Sequence, residues 1–69
     1  MRLLAAPHLA PDRIVVVKDG QVIAAANLNV LVVISEALKV ADEVYLHPDA
    51  AEDFKAWLIE DQKRKRRLN

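Results

Sequence analysis

Two apolar runs rich in valine and isoleucine flank the dipeptide Asp19-Gly20. Asp-Gly between such runs is a strong hairpin signal, because a type I′ turn needs positive φ at both of its central positions. The sequence therefore predicts a β-hairpin over residues 13–26 with a two-residue loop. Such a loop fixes the register of the two strands and places Val16 opposite Ile23.

Both faces of this predicted hairpin are apolar. An antiparallel sheet with one face in water normally alternates apolar and polar residues, and residues 13–26 do not. A chain of 69 residues has few other elements to cover two apolar faces, and a monomer of this size is marginally stable. We therefore expect a homo-oligomer in which a second copy covers one face. The expected interface residues are Ile14, Val16 and Ile23 on the hairpin and Ile59, an apolar residue off the buried stripe of the C-terminal helix.

The pattern of residues 27–41 fits two structures. Its first half is rich in β-branched residues, which favours a strand, whereas polar and apolar positions separate at helical spacing from Ser35 onward. We predict a strand over about residues 29–34 and a short helix over about residues 36–42, with Ser35 as the N-cap. The alternative is one continuous helix that begins at a cap formed by Asn27 or Asn29 and ends at Asp42.

Two further short strands are predicted. Residues 1–12 contain Pro7 and Pro11 and are expected to form an extended arm, with an edge strand over residues 2–5. Residues 43–47 alternate between apolar and polar side chains, which predicts a strand.

The pattern of residues 49–67 predicts a helix. Asp49 and Glu52 stand three residues apart, as in a capping box, and acidic residues are favoured in the first turn of a helix. The pairs Glu60–Arg64 and Asp61–Lys65 have the i, i+4 spacing of ion pairs on a helix surface. The apolar stripe expected to face the core consists of Ala50, Ala51, Phe54, Trp57 and Leu58.

Together these elements predict an α+β fold. We expect a small antiparallel sheet built on the hairpin, a short middle helix and a longer amphipathic C-terminal helix. The chain divides into an arm over residues 1–12, a single α+β domain over residues 13–62 and a basic helix end over residues 63–69. An apolar content of 54% excludes disorder of the body of the chain, and the lack of cysteine excludes disulfides and thiolate metal sites. With neither a signal-peptide core nor an apolar run long enough to cross a membrane, we expect a cytoplasmic or intracellular protein.

Half of the ten basic residues form one block near the C-terminus, although the net charge is zero. Adjacent cations neutralise phosphates and give salt-sensitive binding to DNA or RNA, and they also suit other anionic surfaces. The alternative is a solvated helix end, stabilised by the helix dipole and by Glu60 and Asp61. The candidate nucleic-acid-binding residues are Lys63, Arg64, Lys65, Arg66 and Arg67.

No motif for catalysis appears in the sequence. His47 and Asp49 could supply at most two metal ligands, and a single glycine excludes Gly-rich phosphate loops. We expect no catalytic residues, no metal and no cofactor. The expected function is a non-enzymatic protein-interaction or assembly module whose partner is itself or a larger protein. The alternative is a nucleic-acid-binding regulator, and by association with other short assembly proteins we expect a phage or mobile-element origin.

Overall fold

The computed structural model describes residues 1–67, with side chains to residue 64. Within this range the chain forms a mixed four-stranded sheet and two helical segments. The strands are β1 (Arg2–Ala5), β2 (Arg13–Lys18), β3 (Gln21–Asn27) and β4 (Glu43–Leu46). The first helical segment is a 3₁₀ segment (Leu28–Ile34) that runs into α1 (Ser35–Val40), and the second is a 3₁₀ turn (Pro48–Ala50) that runs into α2 (Ala51–Arg67). The α+β class and the predicted strands over residues 2–5 and 43–47 are confirmed, the latter one residue shorter.

The sheet has the strand order β1-β4-β2-β3. β2 is antiparallel to both β3 and β4, whereas β4 runs parallel to β1. The prediction of a purely antiparallel sheet is therefore wrong at one edge. A parallel pair needs a long connection between its strands, and here the hairpin and the first helical segment together provide it.

The predicted hairpin and its turn are confirmed. Asp19 and Gly20 have φ values of 53° and 77°, the positive values that a type I′ turn requires. The predicted register holds only next to the turn, because Ile23 is an extra residue that forms a β-bulge. Val16 consequently pairs with Ala24 instead of Ile23.

One face of the sheet carries the hydrophobic core. Ile14 and Val16 on β2 are 0% exposed there, because the two helical segments of the same chain cover them. This corrects the prediction that both residues contact a second copy, since neither is accessible. The buried cluster consists of Ile14, Val16, Leu31, Ile34, Leu38, Val44, Leu46, Ala50 and Phe54.

Residues 28–40 are helical apart from a kink, so the predicted strand over residues 29–34 is wrong. The 3₁₀ segment is kinked at Val30, where φ is −130° and ψ is 28°, and then continues directly into α1. This arrangement is closer to the alternative of one continuous helix. Ser35 is correspondingly the first residue of α1 and not its N-cap.

Burial explains why helical structure prevails over β-propensity in this region. Leu31, Ile34 and Leu38 are buried and are spaced three and four residues apart, which places them on one side of a helical segment. A strand would have turned alternate residues towards the core. The gain from burying these three side chains outweighs the preference of the intervening valines for a strand.

The C-terminal helix is confirmed, but its cap differs from the prediction. The Nδ1 atom of His47 accepts a hydrogen bond of 3.0 Å from the backbone N–H of Asp49. Pro48 occupies the first position of the turn, where the lack of an N–H costs nothing. His47 therefore caps the helix start, and Asp49 lies inside the first turn.

Asp42, between α1 and β4, connects three parts of the sheet. Its N–H donates to the carbonyl of Val17 at 3.0 Å, and its carbonyl accepts from the N–H of Arg2 at 3.0 Å. Its carboxylate Oδ2 accepts from the N–H of Asp19 at 2.8 Å. Asp42 thereby fixes the tip of the hairpin to the start of β1 and β4.

Candidate interaction surface

The face of the sheet opposite the core presents an apolar row across all four strands. Leu4, Tyr45, Val15 and Ala25 are aligned in the strand registers. Every buried side chain that the helical segments contribute within the described chain belongs to the core on the other face. The open face of a two-layer fold normally carries polar residues, so this row is unusual for a surface in water.

The next row on this face shows where its apolar part lies. Arg2 and Glu43 occupy the row on β1 and β4, whereas Val17 and Val22 occupy it on β2 and β3. Val17 is buried among its neighbours on the sheet, but Val22 is exposed. The apolar part of the open face therefore extends towards β3.

A charge-free stretch of sequence coincides with β3 and the 3₁₀ segment. We call residues 21–35, which contain no acidic, basic or histidine side chain, the neutral segment. Of the eight large hydrophobic side chains that are exposed among the described residues, five belong to it. These five are Val22, Ile23, Val30, Val32 and Val33.

β3 is an edge strand of the sheet. Within the described chain no strand pairs with its outer side, and five of its seven residues are exposed. An edge strand presents unpaired N–H and C=O groups to any chain that can align with it. Because β3 contains neither a charged residue nor a proline, two of the usual obstacles to such pairing are missing.

The four predicted interface residues lie in two different environments in the structure. Ile23 is 42% exposed on β3 and Ile59 is 55% exposed on α2, whereas Ile14 and Val16 are in the core. The exposed valines of the 3₁₀ segment were not predicted as interface residues, because their β-propensity favoured a strand. The signal that could have identified them is their position outside the helical spacing of the buried residues in the same segment.

The basic block extends α2, and its first two residues have acidic neighbours. Lys63 Nζ lies 3.9 Å from Glu60 Oε1, and Arg64 Nη2 lies 3.1 Å from Asp61 Oδ1. Arg64 thus pairs at i, i+3, not with Glu60 at i, i+4 as predicted. The side chains of Lys65, Arg66 and Arg67, together with residues 68 and 69, lie outside the described part, so contact with nucleic acid stays a prediction.

A metal site, a membrane span and a ligand pocket are the other features that could carry a function in the described chain. Among the described residues no group of three His, Asp or Glu side chains is placed to hold a metal ion, and no helix is both long and apolar enough to span a bilayer. An open groove of about 270 Å³ between α1 and α2 is lined by apolar residues, among them Leu38, Trp57 and Leu58, and by the polar residues Ser35, Lys39, Asp61 and Gln62. The neutral segment is therefore the candidate site. Comparison of the chain with protein-family models, with curated proteins and with solved structures found no match.

Proposed function

We propose that the chain is a non-enzymatic protein-interaction module that acts as a homo-oligomer through its neutral segment. The observation that supports this proposal is the concentration of exposed large apolar side chains in the stretch of sequence that lacks charge. Exposed apolar patches are typical of protein interaction sites. The rest of the chain is rich in charge, since 29% of all residues are charged.

A second copy of the chain is a suitable partner because the neutral segment carries no charge. When two identical neutral surfaces meet, no charged group is buried without a partner, so the desolvation cost that opposes many interfaces is avoided. Most homo-oligomers are two-fold dimers in which the same patch faces itself. If the neutral segment faces the same segment of a second copy, no charge is buried and the interface has the two-fold symmetry of most dimers.

We expect the two copies to associate only moderately tightly, for two reasons. Each chain buries a core of its own, which supports a monomer that folds without the partner. The neutral segment contains 15 residues, fewer than the roughly 20–30 that each partner contributes to a standard interface. We therefore expect a reversible equilibrium between folded monomer and dimer, and not an obligate dimer.

Sedimentation velocity over a wide range of protein concentration tests the proposal. The wild-type chain should move from monomer to dimer as the concentration rises. Val32→Glu places a charge in the neutral segment at a side chain that is 63% exposed, and it should leave the protein monomeric. Val40→Glu is the matched control, because Val40 is 51% exposed at the end of α1, outside the neutral segment.

Circular dichroism of both variants separates loss of assembly from loss of fold. The proposal is supported if both variants stay folded and only Val32→Glu loses the dimer. A wild-type chain that remains monomeric at every concentration would overturn it. So would an equal effect of the two substitutions on the dimer.

A further inference from the structure

We infer that β3 of one copy pairs antiparallel with β3 of a second copy, around a two-fold axis near Ala25, to form one continuous eight-stranded sheet. This inference rests on the proposed function, because it names the geometry by which two copies associate. In this dimer the two copies contact each other mainly through the edge strand β3, and not through the open face of the sheet.

The two edges of the sheet differ in how well they are protected. β1 has only four residues, begins with Arg2 and lies close to Pro7 in sequence. β3 has seven residues, none of them charged. Since charge, proline and shortness are devices that prevent edge pairing, β3 is the edge that is open to it.

The bulge at Ile23 decides which part of β3 is suited to pairing. A bulge bends and twists its strand locally, so the regular part of β3 begins after it. This part starts with three consecutive alanines, Ala24, Ala25 and Ala26. Their small side chains allow a neighbouring strand to approach without a steric clash on either face.

With a two-fold axis near Ala25, all residues of β3 that pair between the two copies are uncharged. Ala25 lies opposite Ala25 of the second copy, and Ala24 lies opposite its Ala26. No charged side chain falls within this register, because residues 21–27 contain none. The 3₁₀ segment packs against β3, so the second copy can also cover exposed valines of that segment.

Disulfide trapping tests this geometry directly, because the chain contains no cysteine and a single introduced thiol reports on one position. In Ala25→Cys the two thiols face each other across the axis and should form a covalent dimer under mild oxidation. In Gln21→Cys the two Cα atoms would be separated by roughly 27 Å along the strands, and a disulfide needs about 7 Å or less. Val40→Cys measures the background rate of cross-linking by random collision.

The outcomes separate the inference from the proposed function. Rapid cross-linking of Ala25→Cys alone supports the edge pairing. Equal cross-linking of Ala25→Cys and Gln21→Cys indicates parallel pairing and overturns the inference. Sheets stacked through their open faces lie about 10 Å apart, so a dimer seen in sedimentation that Ala25→Cys does not trap also overturns it while the proposed function stands. If the wild-type chain forms no dimer, both fail.

A second pair of variants covers the case in which Ala25→Cys does not fold. The same axis places Ala24 of one copy opposite Ala26 of the other, and both lie in the regular part of β3. A mixture of Ala24→Cys and Ala26→Cys chains should therefore cross-link faster than either variant does alone. Cross-linking that is no faster in the mixture contradicts the register.

Discussion

At the scale of single residues, Asp42 combines roles that no local sequence pattern reveals. Its backbone binds Val17 and Arg2, and its carboxylate holds the N–H of Asp19 in the hairpin turn. The three partners are distant in sequence, so the sequence alone shows Asp42 only as a polar residue before a strand. His47 is similar, since its ring accepts the hydrogen bond that a capping residue usually accepts.

Replacing Asp42 tests the contribution of its side chain. Asp42→Ala removes the carboxylate that accepts from Asp19 and should lower the free energy of unfolding by about 1 kcal/mol, since the bond is exposed to water. Asp42→Asn keeps an oxygen acceptor and should lose less. Urea unfolding with a two-state fit measures both changes.

A control variant makes this result specific to the hydrogen bond. Asp12 is also an exposed aspartate, and it contacts Leu28 through its backbone carbonyl. Asp12→Ala should therefore change stability by less than about 0.5 kcal/mol. Equal losses in Asp12→Ala and Asp42→Ala would contradict a particular role for the Asp42 carboxylate.

At the scale of elements, the sequence predicted those whose signals are local. Asp19-Gly20 specifies the turn of the hairpin, and an apolar stripe with acidic and basic ends specifies α2. The bulge at Ile23 and the parallel pairing of β1 with β4 depend on contacts between distant residues, which no local pattern encodes. The 3₁₀ segment was missed because the β-propensity of its valines conflicts with the helical spacing of its buried residues.

The same distinction explains what could be predicted of the candidate site. An apolar hairpin with two similar faces indicated an interface, and Ile23 is indeed exposed. Which face the chain covers by itself depends on how the helical segments pack, and for that reason Ile14 and Val16 were assigned to the wrong environment. The lack of charge in the neutral segment is visible in the sequence. Whether the segment is a candidate interaction site depends on the exposure of its valines, which only the structure gives.

Alanine substitutions in the 3₁₀ segment distinguish a helical segment from a strand. Leu31 is buried in the core, and Leu31→Ala should cost about 2–5 kcal/mol of stability. Val33 is 73% exposed, and Val33→Ala should change the monomer's stability by less than about 0.5 kcal/mol. A strand would place both residues on the same face, so similar losses in urea unfolding of the dilute protein would refute the helical assignment.

At the scale of the whole molecule, no strand of the described chain pairs with the outer side of β3, and one face of the sheet lies opposite the core. The helical segments cover the core side of the sheet, and the buried cluster lies between them and the strands. The remaining apolar surface is concentrated towards β3, where the neutral segment adds exposed valines. In the proposed dimer the second copy would cover this surface, whereas each chain keeps the core that it forms by itself.

Thermal unfolding should therefore depend on protein concentration. Where dimer predominates, unfolding also separates the two copies, so each tenfold rise in concentration should raise Tm by about 3–5 °C for a chain of this length. Val32→Glu should remove this dependence, because its monomer unfolds without dissociation, and Val40→Glu should retain it. Differential scanning calorimetry over a hundredfold range of concentration measures the effect. If Tm is constant for the wild-type chain over that range, the open edge and face remain in contact with water, and the copies do not associate.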